Sequence, residues 1–469
     1  MKPYNTSRRD FLKNSSMGFG MLAASSLFQR DLLGASLSSP LAPKVPHFAS
    51  KAKSVIFLYM DGGVSQVDSF DPKPQLAKEN GQKPKFKVDA TVFNNNGGLL
   101  KSPWEFKRYG ESGIPVSDLF PHIGSCADDL CVIRSMTALS PNHPNANYAL
   151  HCGHVLAGRP SMGAWCSYGL GTMNQNLPSY VVVNGGLIPP GGMQTFGNGF
   201  LPANHQASIV VPKHPVMNNI APRESLSKLQ RKKLDYLNSI DTAFFKKYHH
   251  ADQVETAIEN YELAYRMQME VPEVTDISKE TDATKRLYGM DSPFDQTRQY
   301  GSQCLIARRL VEQGVRFVEL TVSGIGGADR WDQHGNLKEG HEMNAFAVDQ
   351  PIAGLIKDLK SRGLLDSTLL VFSGEFGRTP FAQGTNGRDH NPQGFSMWMA
   401  GGGIKGGTIY GATDEYGYRA VENKMDVHDL HANMMHLMGI NHKELTYRFS
   451  GRDVRLTDVH GHIIPDILA

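Results

Sequence analysis

An uninterrupted apolar run occupies residues 54–60 and ends directly in Asp61, Gly62 and Gly63. A strand that is apolar at every position is buried on both faces, which is typical of the parallel sheets of α/β proteins. Open α/β sheets bind their ligands at the carboxyl ends of such strands. The run therefore predicts a buried parallel strand that delivers the Asp61 carboxylate to a functional edge of the sheet.

Apolar runs and helical patterns alternate along the rest of the chain. Predicted strands cover residues 130–134, 180–183, 315–320 and 368–372, and predicted helices cover residues 224–247, 251–270, 298–313, 342–362 and 427–438. This alternation predicts an α/β fold with a mostly parallel sheet and helices on both faces. We expect residues 41–469 to form a single domain, in which the charged, strand-free residues 223–280 are a helical insertion or cap.

Length and charge exclude several classes of protein. A chain of 469 residues with 40% hydrophobic and 20% charged residues can bury a large core, which excludes a mini-protein or a disordered tail. The 48 Lys and Arg against 46 Asp and Glu leave a formal charge of +2. This balance argues against nucleic acid or an anionic membrane as a partner.

The N-terminus resembles a twin-arginine export signal. Arg8 and Arg9 precede a weakly apolar stretch at residues 17–28, which is shorter than a membrane span requires. The alternative is an amphipathic helix with two arginines by chance. The signal implies that residues 1–40 are a leader and linker, that the export machinery is a partner, and that the protein is periplasmic or extracellular without a stable membrane span.

The cysteine pattern leaves the redox state open. Five cysteines are an odd number for an exported protein, and no pair has the CxxC spacing of a thiolate zinc site or a redox motif. A disulfide between Cys126 and Cys131, another between Cys152 and Cys166, or buried free thiols throughout are all compatible with the sequence.

Residues that bind metals occur just after the predicted strands. Carboxylates and neutral imidazoles that converge from separate strands suit one or two divalent ions, with Zn, Mn, Mg or Ca allowed by the ligand types. Single aspartates in turns are common, but several at carboxyl ends of strands indicate a site. The candidate metal ligands are Asp61, Asp332, His334, Glu375, Asp389 and His390.

The motifs that carry these residues resemble a known family. They are YMDGGVSQVDSFDPKP (59–74), WDQHGN (331–336), GEFGRTP (374–380), GRDH (387–390) and RLTDVHG (455–461). The set resembles the exported family called domain of unknown function 1501, which looks like a branch of the alkaline phosphatase and sulfatase superfamily. The resemblance implies an alkaline-phosphatase-like core with a two-metal site at the carboxyl edge of the sheet. By the same comparison, Phe376 replaces the histidine of an expected Asp-His pair.

The resemblance also implies a nucleophile in the segment around residues 140–148. Ser140 is the candidate hydroxyl there, although the sulfatase motif is missing and a water activated by the metal could replace it. Ser65 is another hydroxyl near Asp61, with the alternative role of capping a helix. His143, in what we interpret as a loop that also contains His151 and His154, is a candidate ligand or general acid.

Two arginines flank the predicted ligands. Arg378 and Arg388 could each form bidentate hydrogen bonds to a sulfate or phosphate group. Their alternative role is to pair with Glu375 and Asp389. His460 and His462 have the spacing of a metal pair, but we expect them to be structural or exposed.

Two functions are compatible with these residues. The first is an exported metal-dependent hydrolase of phosphate or sulfate esters, with a small molecule or a glycan as substrate. The second is a catalytically degenerate member of the superfamily that binds a metal, a glycan or a protein. The convergence of charged and imidazole side chains favours the hydrolase.

Overall fold

The computed structural model describes residues 41–213, 216–217, 220, 227–247, 252–327 and 330–469. The predicted export signal lies outside the described residues, and so do parts of the predicted insertion. The strands are β1 (Ser54–Tyr59), β2 (Asn96–Leu99), β3 (Phe106–Tyr109), β4 (Ile114–Ser117), β5 (Leu130–Thr137), β6 (Tyr180–Val183), β7 (Ser208–Val210), β8 (Phe317–Leu320), β9 (Thr368–Ser373), β10 (Gly377–Gln383), β11 (Gly387–Asn391), β12 (Phe395–Ala400), β13 (Thr408–Tyr410), β14 (Ala412–Thr413), β15 (Ala420–Glu422), β16 (Met425–Asp426), β17 (Tyr447–Phe449) and β18 (Arg452–Val454).

The helices of the described residues complete the α/β architecture. Each predicted helix is present with its ends shifted by a few residues. The helices are α1 (Gln66–Ser69), α2 (Pro74–Lys78), α3 (Pro121–Gly124), α4 (His143–Cys152), α5 (Met162–Leu170), α6 (Ser227–Lys247), α7 (Asp252–Thr275), α8 (Asp282–Leu287), α9 (Asp295–Glu312), α10 (Leu337–Ser361) and α11 (Val427–Leu437).

A nine-stranded sheet organises the molecule, with strand order β13-β5-β12-β9-β1-β8-β6-β7 and β16 paired to β5. Strand β1 pairs in parallel with β8 on one side and with β9 on the other. Within this sheet, as far as the described residues show, only β12 runs antiparallel to its neighbours. The predicted mostly parallel sheet with a central first strand is therefore confirmed.

Side chains from β1 enter two separate cores. Val55, Phe57 and Tyr59 pack with residues of α4, α5 and α11, whereas Ile56 and Leu58 pack with residues of α9 and α10. Successive residues of a strand point to opposite faces, so every position of this run is covered by a helical layer. Burial on both faces explains why the run is apolar apart from Ser54, whose hydroxyl donates to Val315 O at 2.8 Å, and confirms the predicted helices on both faces.

Two local predictions are wrong. Asp389 and His390 do not follow a strand but lie within β11, in a small antiparallel sheet with order β11-β10-β2. The segment interpreted as a loop containing His143 and His151 is helix α4, because Pro144 suits a first helical turn and Gly153, at φ +67°, ends the helix in the left-handed region.

The five cysteines are all free and buried, so of the possibilities that the sequence left open, the structure contains unpaired thiols and neither disulfide. Among the described residues, no helix combines the length and the apolar composition that crossing a membrane requires.

Gly62 holds the end of β1 against the segment that carries Asp332. Its φ is +107°, and a Cβ atom at this position would lie 2.7 Å from the backbone nitrogen of Trp331 and 2.8 Å from that of Asp332. The same two segments are joined by a hydrogen bond of 3.0 Å from Trp331 N to Asp61 O. Only glycine allows the two backbones to approach this closely.

We therefore expect Gly62→Ala to destabilise the protein more than Gly81→Ala. Gly81 has a similar φ of +80°, but no atom lies within 4 Å of its added Cβ. The left-handed backbone alone costs about 1–2 kcal/mol, and overpacking against a fixed backbone adds about 1–3 kcal/mol at Gly62. Urea unfolding of both variants measures the loss in free energy of unfolding. Equal losses would show that the close approach at Gly62 adds no cost to the substitution.

Candidate metal centre

Four side chains form a compact group at the carboxyl edge of the sheet. His143 is the first residue of α4, Asp332 and His334 lie between β8 and α10, and His390 lies in β11. Each offers one possible ligand atom, and these atoms all lie within 4.8 Å of one another. The structure thus brings together three of the predicted metal ligands and adds His143, which the sequence offered as a ligand or a general acid.

The Nδ1 atom of each imidazole in this group is held by an oxygen acceptor. A carboxylate, carboxamide or carbonyl oxygen can only accept, so each Nδ1 carries a proton when the ring is neutral. Such contacts fix the tautomer and the orientation of metal-binding histidines. The acceptors are Glu375 Oε1 for His143, Gln383 Oε1 for His334, and Pro141 O, at 2.6 Å, for His390.

The opposite Nε2 atoms all face the Asp332 carboxylate. Distances to its oxygens are 3.2 Å from His143, 2.9 Å from His334 and 3.2 Å from His390. The Nε2 atoms of His334 and His390 are only 3.1 Å apart. Lone pairs on neutral imidazoles at this separation repel each other unless a proton or a cation lies beside them.

An unsatisfied buried atom supports a cation at this position. His143 Nε2 is buried and has no aligned hydrogen-bond partner among the described residues, although Asp332 Oδ2 is close. Buried polar atoms without partners are rare and costly. Three imidazole nitrogens and one carboxylate oxygen are a donor set that suits Zn²⁺ and other borderline divalent ions. The residues present therefore fit a metal ion.

Asp61 and Glu375 lie next to this group rather than inside it. Both oxygens of the fully buried Glu375 carboxylate accept from Gly62 N at 3.1 Å. The hydroxyl of Tyr59 lies 3.1 Å from Glu375 Oε2 and 3.4 Å from Asp61 Oδ1. The second oxygen of Asp61 is 2.7 Å from Arg330 Nε. Both carboxylates are at the ends of the strands predicted to carry them, but their direct role as ligands stays a prediction.

Crowding of carboxylates shifts the pKa values in the site. Burial and the charge of Glu375 raise the pKa of Asp61, against the opposing effect of Arg330. Burial alone would raise the pKa of Glu375 and of Asp332. The His143 imidazole, which is hydrogen-bonded to Glu375 and close to Asp332, outweighs this effect and lowers the pKa of both, and the other imidazoles lower the pKa of Asp332 further. Burial lowers the pKa of His143, but its interactions with the Asp332 and Glu375 carboxylates raise it overall to about 9.

Arg378 orients Asp332. Its Nη2 is 2.6 Å from Asp332 Oδ1 and also contacts Gly62 O, while Nε donates to Gly63 O at 3.1 Å. The side chain is completely buried. Its alternative role of pairing with Glu375 is therefore wrong, since Asp332 is its partner, and most of its donors are occupied.

Arg388 lies away from the four-residue group. Its Nε and Nη2 donate to the Asp68 carboxylate at 2.7 Å and 3.1 Å, so the expected pairing with Asp389 is wrong. Asp389 instead accepts from the backbone nitrogens of His390, at 2.7 Å, and Phe93, at 3.3 Å. The guanidinium of Arg388 therefore binds the buried Asp68 carboxylate rather than an anionic ligand. The carboxylate of Asp389 positions the backbone of His390.

The two candidate hydroxyls differ in accessibility. Ser140 is half-buried, and its Oγ accepts from Asn142 N at 3.1 Å. Ser65 is fully buried and precedes α1, but its Oγ donates to Asp68 Oδ2 at 2.5 Å instead of capping the helix. Ser65 therefore belongs to the buried Arg388 ion pair, whereas the role of Ser140 as nucleophile stays a prediction.

The remaining histidines singled out in the sequence lie outside the group. His151 is fully buried and its Nε2 lies 2.7 Å from Glu319 Oε1. His154 Nδ1 accepts from Leu156 N at 3.1 Å. The ring of His460 packs on His428, and His462 pairs with Asp429 at 3.0 Å.

One aligned set of polar residues on α4 was not predicted from the sequence. His143, Asn147 and His151 are spaced four residues apart and therefore lie on one face of the helix. From this face, the Asn147 side chain accepts from Tyr59 Oη, and the two imidazoles contact Glu375 and Glu319. The spacing of four residues was the available signal, and it is informative only once the segment is known to be helical.

The cavities do not mark this site. A cavity of about 590 Å³ is lined by Trp104, Phe294, Phe346 and other residues of which none belongs to the four-residue group. The ligand atoms of the candidate centre converge at a partly exposed edge of the sheet, outside this cavity.

A family model described as "Protein of unknown function (DUF1501)" matches residues 52–468. The chain belongs to this family. The membership predicted from the sequence motifs is confirmed. No curated protein matches the sequence at a significant level.

Solved structures similar to this family member include three from bacteria. The lipoteichoic acid synthase LtaP from Listeria monocytogenes is 10% identical, with a TM-score of 0.35 over 89% of this chain and 78% of that chain. The PsFucS1 sulfatase from Pseudoalteromonas sp. is 13% identical, with a TM-score of 0.36 over 82% and 68%. The alkaline phosphatase from the Antarctic bacterium TAB5 is 11% identical, with a TM-score of 0.34 over 84% and 99%.

Metal affinity should increase with pH because His143 must lose a proton to become a ligand. With a pKa of about 9, His143 is protonated at neutral pH when no metal is bound. Apparent Zn²⁺ affinity should therefore rise about tenfold per pH unit between roughly pH 6.5 and 8.5 and level off above about pH 9. Competition with a chromophoric chelator measures this slope. A flat profile would show that the metal does not displace this proton.

Proposed function

We propose that this protein is a metal-dependent hydrolase of phosphate or sulfate esters. The observation that carries the proposal is the convergence of three imidazole Nε2 atoms on one carboxylate, with each Nδ1 atom held by an oxygen acceptor. A purely structural cluster has no need for three imidazoles whose free nitrogens face one another. His143, Asp332, His334 and His390 would hold the ion. A divalent ion there would supply Lewis-acid stabilisation of negative charge on the ester.

The surrounding residues keep the ligands in place. Glu375 anchors the His143 ring and is itself fixed by the Gly62 backbone, so that the ring cannot rotate away from Asp332. Arg378 contacts the other oxygen of the Asp332 carboxylate, Oδ1, whereas His143 faces Oδ2. Ligands fixed on two sides are pre-organised, which reduces the reorganisation required when charge develops on a substrate.

The rival function is a catalytically degenerate module that binds a metal, a glycan or a protein without turnover. The specific observation in its favour is the hydroxyl of Ser140, whose one described hydrogen bond is to Asn142 N and not to a side chain that could act as a base. Metal binding without hydrolysis of any ester would support the binding module. Hydrolysis that depends on the metal would support the enzyme.

Asp332→Asn should abolish both metal retention and hydrolysis. All three imidazoles face this carboxylate, and an amide is a weaker ligand that also places an NH₂ group among them. Metal content of the purified protein and hydrolysis of aryl phosphate monoesters, phosphate diesters, phosphonates and sulfate esters are the measurements. Asp453→Asn is the control, since Asp453 forms an exposed ion pair with Arg448. An active, metal-loaded Asp332→Asn protein would rule out this centre.

We further propose export by the twin-arginine route. Arg8 and Arg9 are read as a pair, and lysine lacks the planar guanidinium fork. Replacing both, with Arg8→Lys and Arg9→Lys together, should leave the precursor in the cytoplasm, as fractionation and immunoblotting would show. Mature protein outside the cytoplasm at the wild-type level would contradict the route without affecting the metal proposal.

A further inference from the structure

An arginine lies beside Asp61, which the sequence offered as one of the metal ligands. Arg330 Nε is 2.7 Å from Asp61 Oδ2, and Arg330 Nη2 donates to Ile188 O at 2.8 Å. These two contacts hold the guanidinium from two sides. The side chain nevertheless keeps 26% of its surface exposed, and no acceptor for its Nη1 is found among the residues the structure describes.

The path of the backbone enforces this position. Gly62, which follows Asp61, packs directly against the segment 330–332, and a Cβ atom on Gly62 would lie 2.9 Å from Arg330 Cβ. The next residue, Trp331, donates its backbone N–H to Asp61 O at 3.0 Å. Asp332, two residues after Arg330, belongs to the group that would hold the ion. The Arg330 side chain is therefore tied to Asp61 by an ion pair and to the ligand group by the two peptide bonds that lead to Asp332.

Charge balance favours one ion over two. Asp61, Asp332 and Glu375 are three carboxylates, and Arg330 and Arg378 already neutralise two of them. A single divalent ion with neutral imidazole ligands leaves the centre with a surplus of one positive charge, which suits an anionic ligand. A second ion at Asp61 would lie in contact with the Arg330 guanidinium, where like charges repel strongly.

We propose that the centre binds one divalent ion and that Arg330 supplies the second positive charge, binding an oxygen of the tetrahedral anion of the substrate. The proposal rests on the hydrolase function proposed above and assigns that site an anion-binding residue. A guanidinium offers paired N–H donors that match phosphate and sulfate oxygens, and its anchoring at Asp61 and Ile188 orients those donors before a ligand arrives.

The test combines metal stoichiometry with binding of inorganic phosphate. Wild-type protein is stripped with a chelator, reloaded with excess Zn²⁺, dialysed and analysed for metal per chain, and phosphate is then titrated by calorimetry. We expect one ion per chain. In Arg330→Met we expect unchanged or tighter metal binding and phosphate binding that is weaker by about tenfold or more, since hydrogen bonds to charged groups are lost. Arg330→Lys should bind phosphate with intermediate affinity.

Arg134→Met is the matched control. Arg134 also pairs with an aspartate, Asp71 at 3.6 Å, and with a backbone carbonyl, Phe70 O at 2.9 Å, and its side chain is similarly half-buried. Its replacement should leave the phosphate affinity unchanged. Thermal unfolding of each variant shows whether the fold is retained, and if Arg330→Met does not fold, the wild-type stoichiometry and Arg330→Lys decide the question.

Two ions per chain in the wild-type protein, no bound ion, or phosphate affinity that is equal in Arg330→Met and wild type would each overturn this inference. A different result would contradict the hydrolase proposal alone: no ester is hydrolysed, although one ion is bound per chain and phosphate affinity still depends on Arg330.

Discussion

Three carboxylates at one edge of the sheet impose the constraint on which the site depends. Asp61 and Glu375 end the neighbouring parallel strands β1 and β9, whose register pairs Tyr59 with Ser373, and Asp332 is brought against them by the close approach at Gly62. Buried carboxylates at this spacing repel one another unless cationic groups surround them. The chain meets this requirement with two guanidiniums and a set of imidazoles that suits a metal ion.

Helix α4 connects this edge to the interior of the sheet. Its polar face runs from His143 at the ligand group, through Asn147 at the Tyr59 hydroxyl, to His151 at the buried Glu319 on β8. Burial of these polar groups is tolerable because nearly all of their polar atoms find partners. The exception is His143 Nε2, which lies in the ligand group. The helix is thereby held in one register over the sheet, so the position of His143 follows from contacts a full helix length away.

Most of the framework could be predicted from the sequence because buried parallel strands are largely apolar on both faces. That pattern located β1 and β9 and placed Asp61 and Glu375 at their ends. It could not show that His390 lies within a strand, because β11 is rich in polar residues. Nor could it show that Arg388 pairs with Asp68, which lies 320 residues away in the chain. Pairings of this kind depend on tertiary contacts for which local patterns carry no signal.

The arginines that orient neighbouring carboxylates differ in exposure from the arginine that can contact a substrate. Arg378 and Arg388 are completely buried. Their N–H donors contact backbone carbonyls and the carboxylates of Asp332 and Asp68, respectively. Asp332, His334 and Arg330 each keep about a quarter of their side-chain surface exposed, at 28%, 25% and 26%. A group that touches a substrate needs accessible surface, whereas a group that orients a ligand is held better when buried. The centre is therefore accessible at Asp332, His334 and Arg330 and closed at the fully buried Glu375.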